Sequence, residues 1–405
     1  MTGTTVSNRW VTSAVIGIVL ATFFSDVGHE MVTATLPLYL GAIGLGATAL
    51  GAMEGLADLA FSLSKLAGGW MGHHTHRKRA FGTLGYTLTL MGTGLIALTQ
   101  SASALVSLRS AAWFGRGFRS PLRDFMLADE VGPTHFGRAY GIERAADMLG
   151  AVAGPLMAFV LLRIGFNVRS VILASVVPSF VAVIAFVSMT RDRERPETNA
   201  SASAPSGRLP RRFWIFTTGV ALFGFGDFSR TFLIFLAAAA FGGQTGSASD
   251  GVAIAVLLYA AHNAVSALAA YPAGARGDRG SKLRVLVVGY GLGVVTNVIL
   301  AFSFGAPSLL VLAIVLSGTY IAIEETLEKA VAAEMLPRAQ RSLGLGVLAS
   351  ANAIGDMASS VGVGFLLAGG FQRAAFLLPA VFGAAGVLWM IAFERRLHPS
   401  NTQAA

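Results

Sequence analysis

Twelve stretches of mostly apolar residues punctuate this chain, near 11–40, 48–71, 81–99, 103–127, 141–162, 168–189, 213–241, 251–273, 285–305, 308–334, 343–368 and 372–394. About 20 helical residues span the hydrocarbon core of a bilayer, and a backbone in hydrocarbon must satisfy its own hydrogen bonds. The predicted fold class is therefore an all-α membrane protein of roughly twelve transmembrane helices. The first run is far longer than a signal-peptide core and reads as a retained span. With 54% hydrophobic and 13% charged residues over 405 positions, no stretch remains for a large soluble domain. The fourth and tenth runs each carry several charges and are the least certain spans.

Loop charges give sidedness. One set of alternate loops holds Arg77, Lys78, Arg79, Arg138, Arg191–Arg212, Arg276–Arg284, Arg338, Arg341, Arg395 and Arg396, while the opposite set holds little beyond Arg163, Arg169 and Arg373. The positive-inside pattern puts both termini in the cytoplasm. It also accounts for the net charge of +9 without a nucleic-acid partner. Residues 191–212, rich in Ser, Ala, Pro and charge, read as a flexible cytoplasmic linker. The expected organisation is a six-helix bundle at 1–190, that linker, a second six-helix bundle at 213–396 and a cytoplasmic tail at 397–405. The bundles repeat weakly. The end of the second span, Gly69 into Arg77–Arg79, parallels the end of the eighth, Gly274 into Arg279–Arg284, and Asp26 parallels Asp227. Two pseudo-symmetric bundles enclosing a central cavity suit alternating access.

Charges inside the spans point to the cavity. Asp26 and Glu30 lie in the first run and Glu54 and Asp58 in the second, each pair one helical turn apart. A charge in hydrocarbon costs at least about 2.5–3.5 kcal/mol, so these faces look into protein or water. A carboxylate held there can load and release a proton; the competing reading is a buried salt bridge to a neighbouring helix. Arg109, Arg116 and Arg123 recur every seven residues along the fourth span. Arg116–Arg123 read as a solvated cluster near the cytoplasmic end, leaving Arg109 to tune a facing carboxylate. In the second half, Asp227 is expected to pair with Arg230, and Glu325 with Lys329 one turn on. His29, Tyr259, His262, Asn263 and Tyr320 are candidates for the cavity lining. His73, His74 and His76 stand beside Arg77–Arg79, where a metal cation is repelled.

These features resemble the major facilitator superfamily over nearly the whole length. The family's loop Gly-x-x-x-Asp-Arg-x-Gly-Arg-Lys is matched after the second span by Gly69, Arg77 and Lys78, with His73 at the Asp position. The second-half copy keeps Gly274, Asp278, Arg279 and Lys282. The resemblance implies a conformational latch between helices at this loop. In the fifth span, Gly150, Gly154 and Pro155 resemble the family's antiporter motif, which goes with export. The family often places a functional Arg in the fourth span, and Arg109 matches by position. The stretches 115–124 and 320–330 resemble bacterial facilitators presumed to be drug exporters.

The expected function is proton-coupled export of a small, cationic or amphipathic organic molecule across a bacterial inner membrane by a monomeric carrier. The proton-coupling and substrate residues are Asp26, Glu30, Glu54, Asp58, Arg109, Asp227 and Glu325. The N-terminal bundle is expected to carry the proton chemistry and the C-terminal bundle more of the substrate wall. The alternative is a divalent-metal exporter with Asp26, His29 and Glu30 as ligands. No Gly-x-x-x-x-Gly-Lys-Ser/Thr loop occurs, so an ATP-driven pump is not expected, and no nucleophile-and-base constellation marks an enzyme. No cofactor is expected. The absence of cysteine excludes disulfides and thiolate metal sites. The partners are then the bilayer, protons and a small molecule.

Overall fold

The computed structural model describes residues 10–45, 47–193, 208–245 and 248–397, and the side chains of Glu54 and Asp58 lie outside that description. So do most of the expected linker, at 194–207, and the tail beyond 397. Fourteen α-helical segments make twelve crossings. They are α1 (Ser13–Ala42), α2 (Ala47–His74), α3 (Lys78–Gly94), α4 (Ala102–Glu130), α5 (Phe136–Arg163), the pair α6 (Val168–Ala174) and α7 (Val176–Met189), the pair α8 (Arg211–Gly224) and α9 (Thr231–Thr245), α10 (Ala248–Arg279), α11 (Lys282–Ala301), α12 (Pro307–Met335), α13 (Arg341–Ala368) and α14 (Gln372–Leu397).

Among the described residues, nine helices are long and apolar enough to cross a membrane. The tenth crossing, α12, is one of them, because its charges gather in its C-terminal half. The second, fourth and seventh crossings are not. In α4 the cause is charge: Arg109, Arg116, Arg119, Arg123, Asp124, Asp129 and Glu130 all lie within it. The other helices turn large apolar side chains outward, as at Leu268, Val288 and Phe365, where lipid would cover them.

The seventh crossing departs from the sequence expectation of one continuous span. It unwinds between α8 and α9, from Phe225-Gly226 onward. Backbone freed in this way must find other partners. The Gly226 carbonyl accepts from Asn297 Nδ2 at 2.6 Å, and Ser229 N donates to Ser360 Oγ at 2.9 Å. Asp227 sits in this unwound segment, and its side chain accepts from Phe228 N at 2.9 Å.

The first six crossings pack on one another, chiefly α1 on α5 and α7, and α4 on α2 and α3. The last six do likewise, with α10 on α9 and α12, and α14 on α8 and α11. The halves meet where α5 packs on α10 and α2 on α13. Glycine permits the closest approaches. A Cβ on Gly137 or on Gly274 would overlap the other's carbonyl, and one on Gly69 would lie 2.9 Å from the Ser342 carbonyl oxygen. These approaches lie at the ends of the helices that carry the Arg-rich loops, so that end is closed.

Candidate functional site

Between the halves lies a cavity of about 400 Å³, walled by α1, α2, α4 and α5 on one side and by α10, α12, α13 and the unwound segment on the other. Asp26 and Glu30 line it, as do Asp227, Tyr259 and Glu325. The glycines of the antiporter-like motif explain how the two acids of α1 come to face α5. A Cβ on Gly150 would lie 2.8 Å from that of Asp26, and one on Gly154 would lie 2.8 Å from that of Glu30. Pro155 lies inside α5 directly after this contact.

Asp26 pairs with Arg116, and this pair starts a chain of alternating charge. Arg116 Nη2 lies 3.3 Å from Asp147 Oδ1, and Asp147 Oδ2 accepts from Arg144 Nη1 at 2.5 Å. Arg144 crosses to the other half and meets Glu325 at 2.6 Å, and Arg230 Nη2 closes the chain on Glu325 Oε1 at 2.9 Å. A second network lies one turn nearer the Arg-rich end. Arg123 joins Glu143 at 2.8 Å and Asp124 at 3.0 Å, and Lys329 reaches across to Asp124 at 3.4 Å and Glu143 at 3.7 Å.

Several sequence expectations change here. Arg116, not Arg109, partners Asp26. Arg109 is buried further along α4, its Nη2 donating to Thr33 Oγ1 at 3.2 Å and its guanidinium 5.4 Å from the Trp113 ring. Arg119 and Arg123 are buried rather than solvated, because α1, α3 and α5 surround them with hydroxyls and acids. Arg119 donates to Thr89 Oγ1 and Ser25 Oγ, for example. Glu325 and Lys329 do not pair along their helix; each reaches across to the first half. Asp227 accepts from Tyr320 at 2.8 Å, while Arg230 goes to Glu325.

His29, His262, Asn263 and Tyr320 lie behind the described cavity wall. His29 packs edge-on to Trp113 with ring centroids 4.8 Å apart. His262 lies within 3.2 Å of both Asn263 Oδ1 and Ser317 Oγ. Among the described residues, no group of three His, Cys, Asp or Glu is arranged to hold a metal ion.

Sequence reasoning missed Glu143, Arg144 and Asp147 on α5. A signal was present, since Glu143 and Asp147 repeat the one-turn spacing of Asp26 and Glu30 inside a predicted span. Acidic side chains line the second half's wall as well: Asp227, Glu324, Glu325, Glu328 and Asp356.

The latch residues occupy the closed end. Asp278 accepts from the backbone N–H groups of Gly137 and Arg138 at 2.8 and 2.9 Å, which places a carboxylate on the N-terminus of α5 in the other half. Lys282 Nζ and Arg138 Nε flank it at 3.5 and 3.8 Å. In the first-half copy, His73 Nδ1 meets the Ala339 carbonyl at 2.8 Å, just before α13. Arg77 and Arg279 are exposed on this face, and the Lys78 ammonium donates to the Thr75 carbonyl at 2.8 Å. Arg338 reaches from the second half to Asp129 of the first at 2.5 and 2.8 Å.

Residues 18–261 and 221–405 match the family profile described as Major Facilitator Superfamily. The chain belongs to the major facilitator superfamily. This facilitator is therefore a multi-pass membrane transporter of small molecules, with the superfamily's two six-helix bundles. It is 24% identical over 346 residues to an uncharacterized MFS-type transporter of Methanocaldococcus jannaschii, covering 85% of this chain and 86% of that protein. It is 26% identical over 362 residues to an uncharacterized protein of Mycobacterium tuberculosis, covering 85% and 83%. Similar solved folds include the human organic anion transporter MFSD10 (TM-score 0.71, 13% identity, 93% and 99% of the two chains). Another is a bacterial homologue of the iron transporter ferroportin in its outward-facing state (0.70, 16%, 95% and 100%). The proton:xylose symporter XylE is similar to the same degree (0.71, 13%, 95% and 95%).

Proposed function

We propose that this facilitator is a proton-coupled antiporter that exports a small cationic or amphipathic organic molecule. The observation that carries the reading is the unbroken chain from Asp26 through Arg116, Asp147 and Arg144 to Glu325. It begins at an acid buried in the first helix and ends on the contact that joins the halves. A proton on Asp26 removes one charge from this series. Arg116 then shifts toward Asp147, which redistributes the pairing of Arg144 and Glu325. A change of protonation at one end is thus felt at the joint between the bundles.

The cargo is argued from the cavity's own charges, since the similar folds carry chemically unrelated solutes. The wall is rich in carboxylates, and exchanging one monovalent cation for one proton leaves its net charge unchanged. The positive-inside rule makes the Arg-rich end cytoplasmic, with both termini on that side. The present conformation is then closed toward the cytoplasm. The bacterial inner membrane and a monomeric carrier complete the reading. A metal cargo has weaker support, because His29 packs behind Trp113 and does not line the cavity with the two acids.

The test is flux in proteoliposomes loaded with a pH-sensitive dye. Adding lipophilic primary amines should move protons in the opposite direction, and Zn²⁺ or Mn²⁺ should not. Metal-driven proton flux with none from any amine would reject the proposal.

A further inference from the structure

We propose that Asp227, Glu324, Glu328 and Asp356 form a separate subsite in the C-terminal half that takes the ammonium group of a protonated primary amine. The inference rests on the antiporter reading and names the chemistry of its cargo site.

Apart from Glu30, the acids of the cavity fall into two classes. Asp26, Asp124, Glu143, Asp147 and Glu325 each meet Arg or Lys within 4 Å. Among the described residues, Asp227, Glu324, Glu328 and Asp356 meet neither, although all four line the same cavity. Their partners are neutral. Tyr320 and the Phe228 N–H donate to Asp227. Tyr290 donates to Glu328, and Asn352 Nδ2 lies 3.3 Å from Glu324 Oε1 and 3.4 Å from Glu328 Oε2. Two cations act on the cluster from further away: Lys65 of α2, whose ammonium rests 4.2 Å from the Phe61 ring, faces Asp356, and Arg230 faces Asp227.

Two acceptor atoms remain unmet. Glu324 is 1% exposed, and its Oε2 has no hydrogen-bond partner; Asp356 Oδ1 is also buried without one. A buried acceptor left unpaired costs about 1–3 kcal/mol, more when charged, so such atoms mark a place for a donor. Glu324 and Glu328 lie one turn apart on α12, as do Asn352 and Asp356 on α13, so two carboxylates of α12 face an amide and a carboxylate of α13. A ligand here must carry positive charge and N–H groups. A quaternary ammonium supplies the charge alone. Leu345, Leu348, Ala349 and Ala353 of α13 also line the cavity and offer an apolar surface to the body of the amine.

The experiment is equilibrium binding of radiolabelled phenethylammonium to the full chain in nanodiscs, without a proton gradient. Phenethyltrimethylammonium serves as the competitor. The primary amine should bind, and the quaternary analogue should compete at least tenfold less well. Glu324→Gln and Asp356→Asn should each weaken binding tenfold or more, whereas Gly291→Ala, with nothing within 4 Å of the added carbon, should bind normally. Size-exclusion profiles and thermal melting of the two variants distinguish loss of the site from loss of the fold. Absence of binding to the native chain, equal competition by the quaternary analogue, or undiminished binding by a folded Glu324→Gln/Asp356→Asn double variant would overturn the subsite. Cluster-dependent binding without any amine-driven proton flux would leave the subsite standing and remove the coupling. Proton flux driven by an amine whose binding ignores both substitutions would do the reverse.

Discussion

Arg144 and Glu325 form a two-pronged bridge between the halves, with Nη1–Oε2 at 2.6 Å and Nη2–Oε1 at 2.8 Å. Paired guanidinium–carboxylate contacts of this form are among the stronger polar interactions in proteins. Neutralising Glu325 leaves Arg144 with Asp147 alone and takes away the ion-pair contact of Arg230, and breaking a buried pair costs up to about 3–5 kcal/mol. Glu325→Gln should therefore open the Arg-rich end. The chain contains no cysteine, so spin labels at His76→Cys and Gly280→Cys would report only the distance between the two latch loops. That distance should lengthen in Glu325→Gln and lengthen less in Glu325→Asp, which keeps the charge.

Asp26→Asn keeps the shape of the side chain and removes the group that takes the proton. Amine-driven proton flux should fall to background, while exchange of labelled amine across the membrane at equal concentrations persists. Arg109→Lys should leave coupling in place, since Arg109 holds Thr33 and stacks on Trp113 rather than pairing with Asp26. Loss of coupling in Arg109→Lys with normal coupling in Asp26→Asn would reverse these roles.

Gly274→Ala puts a methyl group against the carbonyl of Gly137. Overpacking of this kind costs about 1–3 kcal/mol, and here the backbone of the other half is the only part able to yield. The label distance should lengthen as in Glu325→Gln. Gly291→Ala is the control: nothing lies within 4 Å of the added carbon, so the distance should not change, and α11 should gain up to about 1 kcal/mol.

Asp278→Asn weakens the carboxylate cap on α5. A lost cap costs about 1 kcal/mol, roughly a fivefold shift toward the open end. His73→Ala removes one hydrogen bond rather than two charge-assisted ones and should shift the labels less. A larger shift for His73→Ala would mean that the first-half latch is the stronger of the two.

Much of the architecture was legible because membrane crossings obey length and periodicity. The alternation of Arg-rich loops matched the even number of crossings for the same reason. Partners were harder to read. The seven-residue spacing of Arg109, Arg116 and Arg123 shows that they share a face but not which one reaches Asp26, which depends on how deeply α4 sits beside α1. Glu143, Arg144 and Asp147 were passed over because the predicted fifth span began at 141, where charge reads as interfacial. The helix begins at Phe136, which carries these residues two turns inward. The unwinding around Asp227 was hidden because apolar runs flank it on both sides. Gly224, Gly226 and the polar residues Asp227, Ser229, Arg230 and Thr231 marked it, but an Asp and an Arg three residues apart read equally as an ion pair on a continuous helix.

The glycine contacts at the closed end have a further consequence. A carrier driven by a proton gradient loses that gradient if a file of water reaches its carboxylates from both sides at once. Where Gly137 meets Gly274 and Gly69 meets Ser342 and Gly346, main chain lies directly on main chain. Such contact leaves little room between the helices, and a water molecule needs space and two or more polar partners to lodge. In the proposed antiporter, bare backbone at the joint would hold back a file of water, and the four-carbon stem of a lysine or the ring of a phenylalanine at any of these positions would prop open a path for protons.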